Sequence, residues 1–239
     1  MTNNLEEKRK QLVHYLKDIQ SIETKEVEKA FLKIKRELFL PKEMADMAYA
    51  DEALPIGFDQ TISQPTTIAI MLEMLKVKEG MKAGEIGAGC GYASSLLSQL
   101  VGDTGKVISV EVIKELAEKG KKNIEKHEIK NVEIIQGEGV KTLQEKAPFD
   151  RILISAACPF IPKELFDSLN EGGKIVAPVG DRNSQTMQCM TKIKGKPVKE
   201  EYLKTYFVFV PLGGKHGFDK FYWNPGKNKW IKSQDDRIW

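Results

Sequence analysis

The sequence predicts an α/β fold built around a doubly wound, mostly parallel sheet. Short apolar runs alternate with helical stretches over residues 85–180, which is typical of βαβ units whose parallel sheet is buried on both faces. A glycine-rich turn follows the first of these runs. Residues 186–212 then have strand character with no helix between them. This last pattern predicts an antiparallel strand pair added to the edge of the sheet.

The segment before the sheet is predicted to be helical over residues 5–39, because apolar residues recur there at helical spacing. Pro41 and Pro55 interrupt the next segment, which we expect to be largely irregular. A helix over residues 65–75 follows, since the fixed φ of its first residue, a proline, suits a first helical turn. Ser63 precedes that helix and could cap its free N–H groups.

Strands and helices then alternate to the end of the α/β part. The predicted strands are 85–89, 106–111, 131–137, 149–157 and 172–180, and the predicted helices are 91–101, 113–127, 138–146 and 162–170. The antiparallel pair turns at residues 195–197. We expect a single domain over residues 1–218, with a helical N-terminal part over about 5–60 and an α/β core over about 61–218. Residues 219–239 form an aromatic-rich C-terminal extension.

The composition is that of a soluble globular protein with a large core, with 239 residues, 41% hydrophobic and 30% charged. The net charge of +3 gives no sign of a nucleic-acid partner, because such proteins cluster basic residues on one face. The N-terminus is too charged for a signal peptide, and no apolar stretch approaches the ~20 residues that span a membrane. The three cysteines lie far apart, which favours neither disulfides nor a metal site. We expect a cytoplasmic monomer without a metal, a membrane contact or a nucleic-acid partner.

The glycine-rich turn is the first candidate binding site. Residues 85–92 read EIGAGCGY and lie between a predicted strand and a predicted helix. Glycines let the backbone approach a ligand closely, and a helix start offers free N–H groups. Glu111 ends the next predicted strand, where an acid can accept both hydroxyls of a ribose. These features together predict a nucleoside-binding unit.

The spacing of the glycines favours a nucleoside without phosphate over a dinucleotide. The turn reads G-x-G-x-G, whereas dinucleotide sites have G-x-G-x-x-G and a pyrophosphate to hold. Glu85, at the entrance of the turn, would suit a cationic ligand and oppose a phosphate. S-adenosylmethionine has no phosphate but carries ribose, adenine and an amino acid. Glu138, after the third strand, places a further acid where the adenine should lie.

At this point the sequence resembles the protein-L-isoaspartate (D-aspartate) O-methyltransferase family. The similar segments lie within residues 8–218 and are AFLKIKRELFLPKEMADMAYADEALPIG, QTISQP, EIGAGCGY, APFDRILISAA, EGGKIVAPVG and FVFVPLGGKHGF. The resemblance implies the S-adenosylmethionine-dependent methyltransferase fold, with a seven-stranded sheet. It also implies a protein-repair activity, which transfers a methyl group to the free α-carboxylate of L-isoaspartyl and D-aspartyl residues in damaged proteins and peptides.

The resemblance further implies roles for individual residues. Ser63 would be the catalytic serine, in a loop that covers the methyl-transfer site. The residues implied to bind the cofactor are Thr61, Glu85, Gly87, Gly89, Glu111, Glu138 and Gly139. The residues implied to shape the substrate site are Gln60, Ile62, Val210, Pro211 and Leu212. A carboxylate with a pKa near ~4 is already ionised at neutral pH, so this reaction needs no general base.

Three positions depart from the family pattern. A large apolar residue usually stands where this chain has Gly84, and a smaller residue in a central strand loses packing unless its neighbours fill the space. Asp59 stands where glycine is usual, which limits the backbone of the loop, and its charge could repel a substrate carboxylate or pair with a lysine. Glu138 replaces the more usual aspartate and keeps its charge.

Two other functions stay open at this level. A related methyltransferase could act on a dedicated peptide or small molecule and recognise it through the C-terminal extension, which contains all three tryptophans, Trp223, Trp230 and Trp239. A non-enzymatic binding protein could keep the fold and the cofactor, for which the small residue at Gly84 is the only support. The extension could equally pack on the domain.

Overall fold

The computed structural model describes residues 2–218, 221–224 and 229–232. The N-terminal part is helical, as predicted, with α1 (Thr2–Asp18), α2 (Lys25–Lys33) and two 3-10 helices (Arg36–Phe39 and Lys42–Met47). The hydroxyl of Thr24 caps α2 by accepting a hydrogen bond from the backbone N–H of Val27, at 3.4 Å. The apolar face of α2 is buried, which anchors the N-terminal helices on the rest of the protein.

A β-hairpin lies where irregular chain was expected. Its strands are β1 (Leu54–Gly57) and β2 (Gln60–Ile62), paired antiparallel. Phe58 and Asp59 form the turn, with φ of 57° and 55°. Both angles lie in the left-handed region, as the preferred two-residue hairpin turns require. The prediction was wrong here because neither turn residue is one of the usual glycine or asparagine signals for such a turn.

The α/β part follows the predicted alternation. Its elements are α3 (Pro65–Leu75), β3 (Lys82–Ile86), α4 (Tyr92–Val101), β4 (Lys106–Glu111), α5 (Lys114–Lys126), β5 (Val132–Gln136), α6 (Gly139–Glu145), β6 (Phe149–Ile154), α7 (Lys163–Asp167), β7 (Leu169–Gly180), β8 (Gln185–Ile193) and β9 (Lys196–Phe207). The seven strands β3–β9 form one sheet in the order β5-β4-β3-β6-β7-β8-β9. Strands β3–β7 pair in parallel, and β8 and β9 add the antiparallel pair at the edge. The predicted fold class is confirmed.

Two boundaries differ from the prediction. The first strand of the sheet covers Lys82–Ile86 rather than 85–89, because Gly87 has a φ of 87° and leaves the extended conformation. The turn of the antiparallel pair consists of Lys194 and Gly195, both with positive φ. Pro197 lies inside β9 and pairs with a residue of β8, which the outer strand of a sheet tolerates.

Both faces of the sheet are covered, as a parallel sheet requires. One apolar cluster joins α1–α4 to the sheet, and a second joins α6 and α7 to its other face. Phe149 and Leu143 belong to the second cluster and are fully buried. A Cβ atom added at Gly84 would lie 3.1 Å from Leu143 and 3.3 Å from the Phe149 ring. The neighbours therefore fill the space at Gly84, and the support for a weakened, non-enzymatic protein disappears.

The C-terminal extension contains a second hairpin. Its strands are β10 (Phe221–Asn224) and β11 (Lys229–Lys232), and Trp223 lies opposite Trp230 in their pairing. Trp239 lies outside the described residues. Within the described ranges, no helix is long and apolar enough to cross a membrane.

Candidate active site

A cavity of about 450 Å³ lies at the carboxyl ends of the central strands. It is placed where the strand order reverses, between β3 and β6, and open α/β sheets bind their ligands at this point. Most of the predicted site residues line it, namely Gln60, Thr61, Gly87, Gly89, Glu111, Glu138, Gly139, Val210, Pro211 and Leu212. The folded chain thus brings together residues from five segments that are separate in sequence.

The glycine-rich turn forms the floor of this cavity. Gly87, Gly89 and Gly91 have φ of 87°, 53° and 87°, which side chains other than glycine rarely adopt. The backbone N–H of Gly87 donates to the Val110 carbonyl oxygen at 2.9 Å, which ties the turn to β4. A Cβ atom at Gly89 would lie 3.2 Å from Ile56 of the β1–β2 hairpin. The hairpin therefore packs directly on the turn and covers it.

Glu111 lies in the cavity wall at the end of β4 and is almost fully buried. Its Oε2 accepts a hydrogen bond from the Gly89 N–H at 2.8 Å, and its Oε1 accepts one from the Ile113 N–H at 3.0 Å. Burial raises the pKa of this carboxyl above its ordinary value, and the two N–H groups oppose that rise. Each carboxylate oxygen keeps a further acceptor site, so Glu111 can accept two ligand hydroxyls.

Glu138 and Gly139 line the cavity at the start of α6. The Glu138 carboxylate caps α6 by accepting from the Lys141 N–H at 2.7 Å. A Cβ atom at Gly139 would lie 2.5 Å from Cγ2 of Ile86, closer than any real side chain can approach. Gly139 thus allows α6 to begin against β3, and Glu138 keeps one carboxylate oxygen available towards the cavity.

Glu85, Ile62 and Ser63 do not line the large cavity but a smaller one beside it, of about 40 Å³, which we call the neck. Glu85 is fully buried there and accepts hydrogen bonds from the hydroxyls of Ser94 and Ser109, at 2.5 and 2.7 Å. Burial raises the pKa of Glu85 to about 7. The glutamate is therefore part of a buried hydroxyl network under the turn.

Ser63 does not cap α3, so that interpretation is wrong. The Asp51 carboxylate does so instead, accepting from the Thr66 N–H at 2.8 Å and from the Thr66 hydroxyl at 2.6 Å. Among the described residues, the Ser63 hydroxyl makes no hydrogen bond. The sequence could not show this, because Asp51 lies in a different segment and reaches the helix start only after folding. The Ser63 hydroxyl is left available in the neck.

Arg36 fixes the chain around Ser63 and was missed from the sequence. Its guanidinium is fully buried and donates to the carbonyl oxygens of Ala48, Glu52 and Ser63, at 2.6, 2.9 and 3.1 Å. A buried charge needs hydrogen-bond partners, and both terminal nitrogens of Arg36 have them, whereas its Nε has none among the described residues. Its position in the family-like segment before Pro41 was the only signal that the sequence offered.

A second cleft, of about 230 Å³, lies on the other side of the neck. Its walls are Ser63, Gln64, Thr67 and the segment 206–210. That segment is held in place just beyond the cleft, because the Ala157 N–H donates to the Val210 carbonyl at 2.8 Å and the Leu212 N–H donates to the Ala157 carbonyl at 2.7 Å. Thr61 and Ser155 line the large cavity, the neck and the cleft alike. The three spaces therefore meet at one point.

Other reactive residues take no part in this arrangement. Burial raises the pKa of the Cys90 and Cys158 thiols, to about 11 and about 12, so both stay protonated at neutral pH. His216 lies 3.1 Å from the Glu164 carboxylate of α7 and lines none of the three spaces. In the described ranges, no cluster of acidic, histidine and cysteine residues could hold a metal ion.

Asp59 lies at the exposed tip of the β1–β2 hairpin and outside all three spaces. Within the described part of the chain it forms no ion pair, which excludes a salt bridge to a described lysine. Its backbone carbonyl accepts a hydrogen bond from the Gln60 side chain at 3.1 Å. The effect of this substitution is thus on the backbone of the turn, where the left-handed φ explains why glycine would suit the position.

Comparisons with known proteins identify the family of the chain. The family model of protein-L-isoaspartate (D-aspartate) O-methyltransferase matches residues 7–217. The protein-L-isoaspartate O-methyltransferase of Methanothrix thermoacetophila is 40% identical over 208 residues, which cover 87% of this chain and 97% of the relative. Protein-L-isoaspartate O-methyltransferase 2 of Archaeoglobus fulgidus is 41% identical over 213 residues, with 89% and 96% covered.

Solved structures show the same similarity. One protein-L-isoaspartate O-methyltransferase superposes with a TM-score of 0.78 at 31% identity, covering 87% of this chain and 67% of that one. A putative protein-L-isoaspartate O-methyltransferase from Plasmodium falciparum, in complex with S-adenosyl-L-homocysteine, has a TM-score of 0.74 at 25% identity, with 84% and 97% covered. On its sequence, its fold and the residues around its central cavity, this chain belongs to the protein-L-isoaspartate (D-aspartate) O-methyltransferase family.

Proposed function

We propose that the protein repairs damaged proteins and peptides by transferring a methyl group from S-adenosylmethionine to the free α-carboxylate of L-isoaspartyl and D-aspartyl residues. The observation that carries this proposal is that a cofactor-sized cavity, the neck and the cleft share Thr61 and Ser155 in their walls, while Ser63 lines both the neck and the cleft. The names of the relatives at about 40% identity support the same reaction.

The residues of the large cavity fit the cofactor. Glu111 would accept the two ribose hydroxyls, because its oxygens are held by N–H groups and each keeps an acceptor site. Gly87 and Gly89, with Thr61, would lie along the methionine part, and Glu138 with Gly139 would meet the adenine. The absence of a side chain at Gly139 lets the start of α6 pack against Ile86 of β3, which places both residues in the cavity wall. When bound, the cofactor supplies a methyl group on a positively charged sulfur.

The substrate would enter through the cleft. Gln60, Ile62 and the segment 210–212 would form the walls around the isoaspartyl residue, and Ser63 would donate a hydrogen bond to its carboxylate. A carboxylate is ionised at neutral pH, so the protein has to place it in line with the methyl group and exclude water. The helix start of α3 adds little to anion binding, because the Asp51 carboxylate already occupies it.

The chemical step balances without proton transfer. The substrate carboxylate forms the new oxygen–carbon bond while the sulfur–carbon bond breaks, and the bonding electrons remain on sulfur. The resulting methyl ester is a reactive acyl group, from which methanol can leave when the neighbouring backbone nitrogen attacks it. The neighbouring backbone nitrogen can then close a succinimide, whose hydrolysis returns some normal aspartate.

The test is methylation of an isoaspartyl peptide with labelled S-adenosylmethionine. We expect a base-labile methyl ester with the isoaspartyl peptide and none with the matched aspartyl peptide; equal labelling of the two would refute the proposal. Ser63→Ala should lower turnover about ten-fold or more, because it removes a hydrogen bond to a charged group, and should leave the cofactor Kd within about two-fold. An unchanged rate would exclude Ser63 as a catalytic residue.

We also propose a cellular compartment and an oligomeric state for the protein. We place it in the cytoplasm, since its three cysteines are buried free thiols, as expected in a reducing compartment. We also propose a monomer with one catalytic domain over residues 1–218, because the cavity, the neck and the cleft are all lined by one chain. Light scattering of the purified protein tests the monomer, and a dimer mass would contradict it. No nucleic acid or membrane takes part in the proposed reaction.

A further inference from the structure

Ser155 occupies the point where the cavity, the neck and the cleft meet. Ser155 directly follows β6. Within the described part of the chain, Ser155 and Thr61 are the only residues that line all three spaces. Ser155 therefore borders both the proposed cofactor space and the proposed substrate space. No sequence motif predicts a role for Ser155.

The position of Ser155 is set by the sheet rather than by a loop. Its backbone N–H donates to the Ile86 carbonyl oxygen at 2.8 Å, which continues the pairing of β6 with β3 beyond the strand end. Its carbonyl oxygen would lie 3.4 Å from a Cβ atom at Gly87, so the two backbones are in close contact. Sites built on strand ends hold a side chain more precisely than sites on loops.

The Ser155 hydroxyl is only weakly engaged within the protein. Its single hydrogen bond among the described residues is to Oε1 of Glu85, at 3.5 Å, which is long for a hydroxyl donor. The other oxygen of Glu85 is held at shorter distances by Ser94 and Ser109. The Ser155 hydroxyl can therefore turn towards a ligand at little cost, while Glu85 keeps its stronger partners.

We propose that Ser155 is a second catalytic residue, whose hydroxyl donates a hydrogen bond to the isoaspartyl carboxylate. This inference rests on the proposed function and deepens it. Ser63 approaches the neck from the hairpin and α3, whereas Ser155 approaches it from the end of β6. Two donors on different elements fix both the position and the plane of the carboxylate, so that one oxygen faces the methyl group. A single donor would leave the carboxylate free to rotate about one hydrogen bond.

The test compares Ser155→Ala with Ser155→Thr, which keeps the hydroxyl, and with Ser98→Ala as a matched control. Ser98 is a buried serine of α4 that lines none of the three spaces. The first readout is the Kd of the isoaspartyl peptide for protein saturated with S-adenosylhomocysteine, measured by calorimetry. The second is kcat, and the third is the Kd of S-adenosylhomocysteine alone.

We expect Ser155→Ala to weaken peptide binding or lower kcat by about ten-fold or more, which is typical of a lost hydrogen bond to a charged group. Cofactor affinity should stay within about two-fold, and Ser155→Thr should recover most of the loss. An unchanged peptide Kd and kcat, or a loss confined to cofactor affinity, would overturn this inference. If the wild-type protein itself fails to methylate the isoaspartyl peptide, the proposed function fails instead.

Discussion

Replacement of Gly84 by leucine should destabilise the protein, although a large apolar residue is usual at this position in the family. The Cβ atom alone would lie 3.1 Å from Leu143 and 3.3 Å from the Phe149 ring, which is already tighter than ordinary contact. The remaining three carbon atoms of the leucine would have to enter space that these side chains occupy. Overpacking of this kind costs about 3 kcal/mol in a buried core, and for a chain of this length it lowers Tm by about 6–12 °C.

The assay is thermal unfolding of the wild type, of the single variants Gly84→Leu and Phe149→Ala, and of the double variant that combines them. The double variant should lose less stability than the sum of the two single losses, because Phe149→Ala vacates the space that the leucine needs. Gly84→Ala serves as the control and should change stability by less than about 1 kcal/mol, since its Cβ atom needs shifts of only a few tenths of an ångström. A Tm of Gly84→Leu equal to or above that of the wild type would refute the conclusion that the neighbours fill the site.

Three further variants test other parts of the structure. Burial raises the pKa of Glu85 to about 7, so the folded state binds this proton more tightly than the unfolded state. The free energy of unfolding should therefore fall by roughly 3 kcal/mol as the pH rises from about 4.5 to 7. In urea titrations of the cofactor-free protein, Glu85→Gln should make this fall smaller, and an unaltered pH dependence would contradict the assignment. Asp51→Ala removes the cap of α3 and should lower the free energy of unfolding by about 1–2 kcal/mol; no change would mean that another group caps the helix. Asp59→Asn should leave the KM for the isoaspartyl peptide within about two-fold of the wild-type value. The Asp59 carboxylate is exposed and outside the cleft, and solvent screens its charge. A large drop in KM would show instead that Asp59 repels the substrate carboxylate.

The order of strands and helices could be predicted because each element carries its own local signal. The alternation of apolar runs with helical stretches predicted the parallel sheet, and the absence of a helix after residue 186 predicted the antiparallel pair. The β1–β2 hairpin could not be predicted in the same way. Its strands are only a few residues long, and its turn is formed by Phe58 and Asp59, of which Phe58 is not a typical turn residue.

The candidate site was predictable wherever a residue belongs to a recognisable local pattern. The glycines of EIGAGCGY and the acid at Glu111 follow from their spacing, and Ser63 follows from the resemblance of QTISQP to one family. Arg36, Asp51 and Ser155 carry no such pattern. Each acts through partners that are distant in sequence, such as the carbonyl oxygen of Ser63 for Arg36.

By itself, the sequence determined the fold class and the family, and it predicted the candidate cofactor-binding and substrate-binding segments, because local periodicity and short motifs depend on residues that are close together in the sequence. Only the tertiary structure decided how those segments share space. In the folded protein, Leu143 and Phe149 fill the space beside Gly84. The Asp51 carboxylate caps α3, so the Ser63 hydroxyl stays available in the neck. Folding also brings Ser155 to the meeting point of three spaces. The physical reason is that packing and hydrogen bonding act between atoms that are close in space, whatever their separation along the chain.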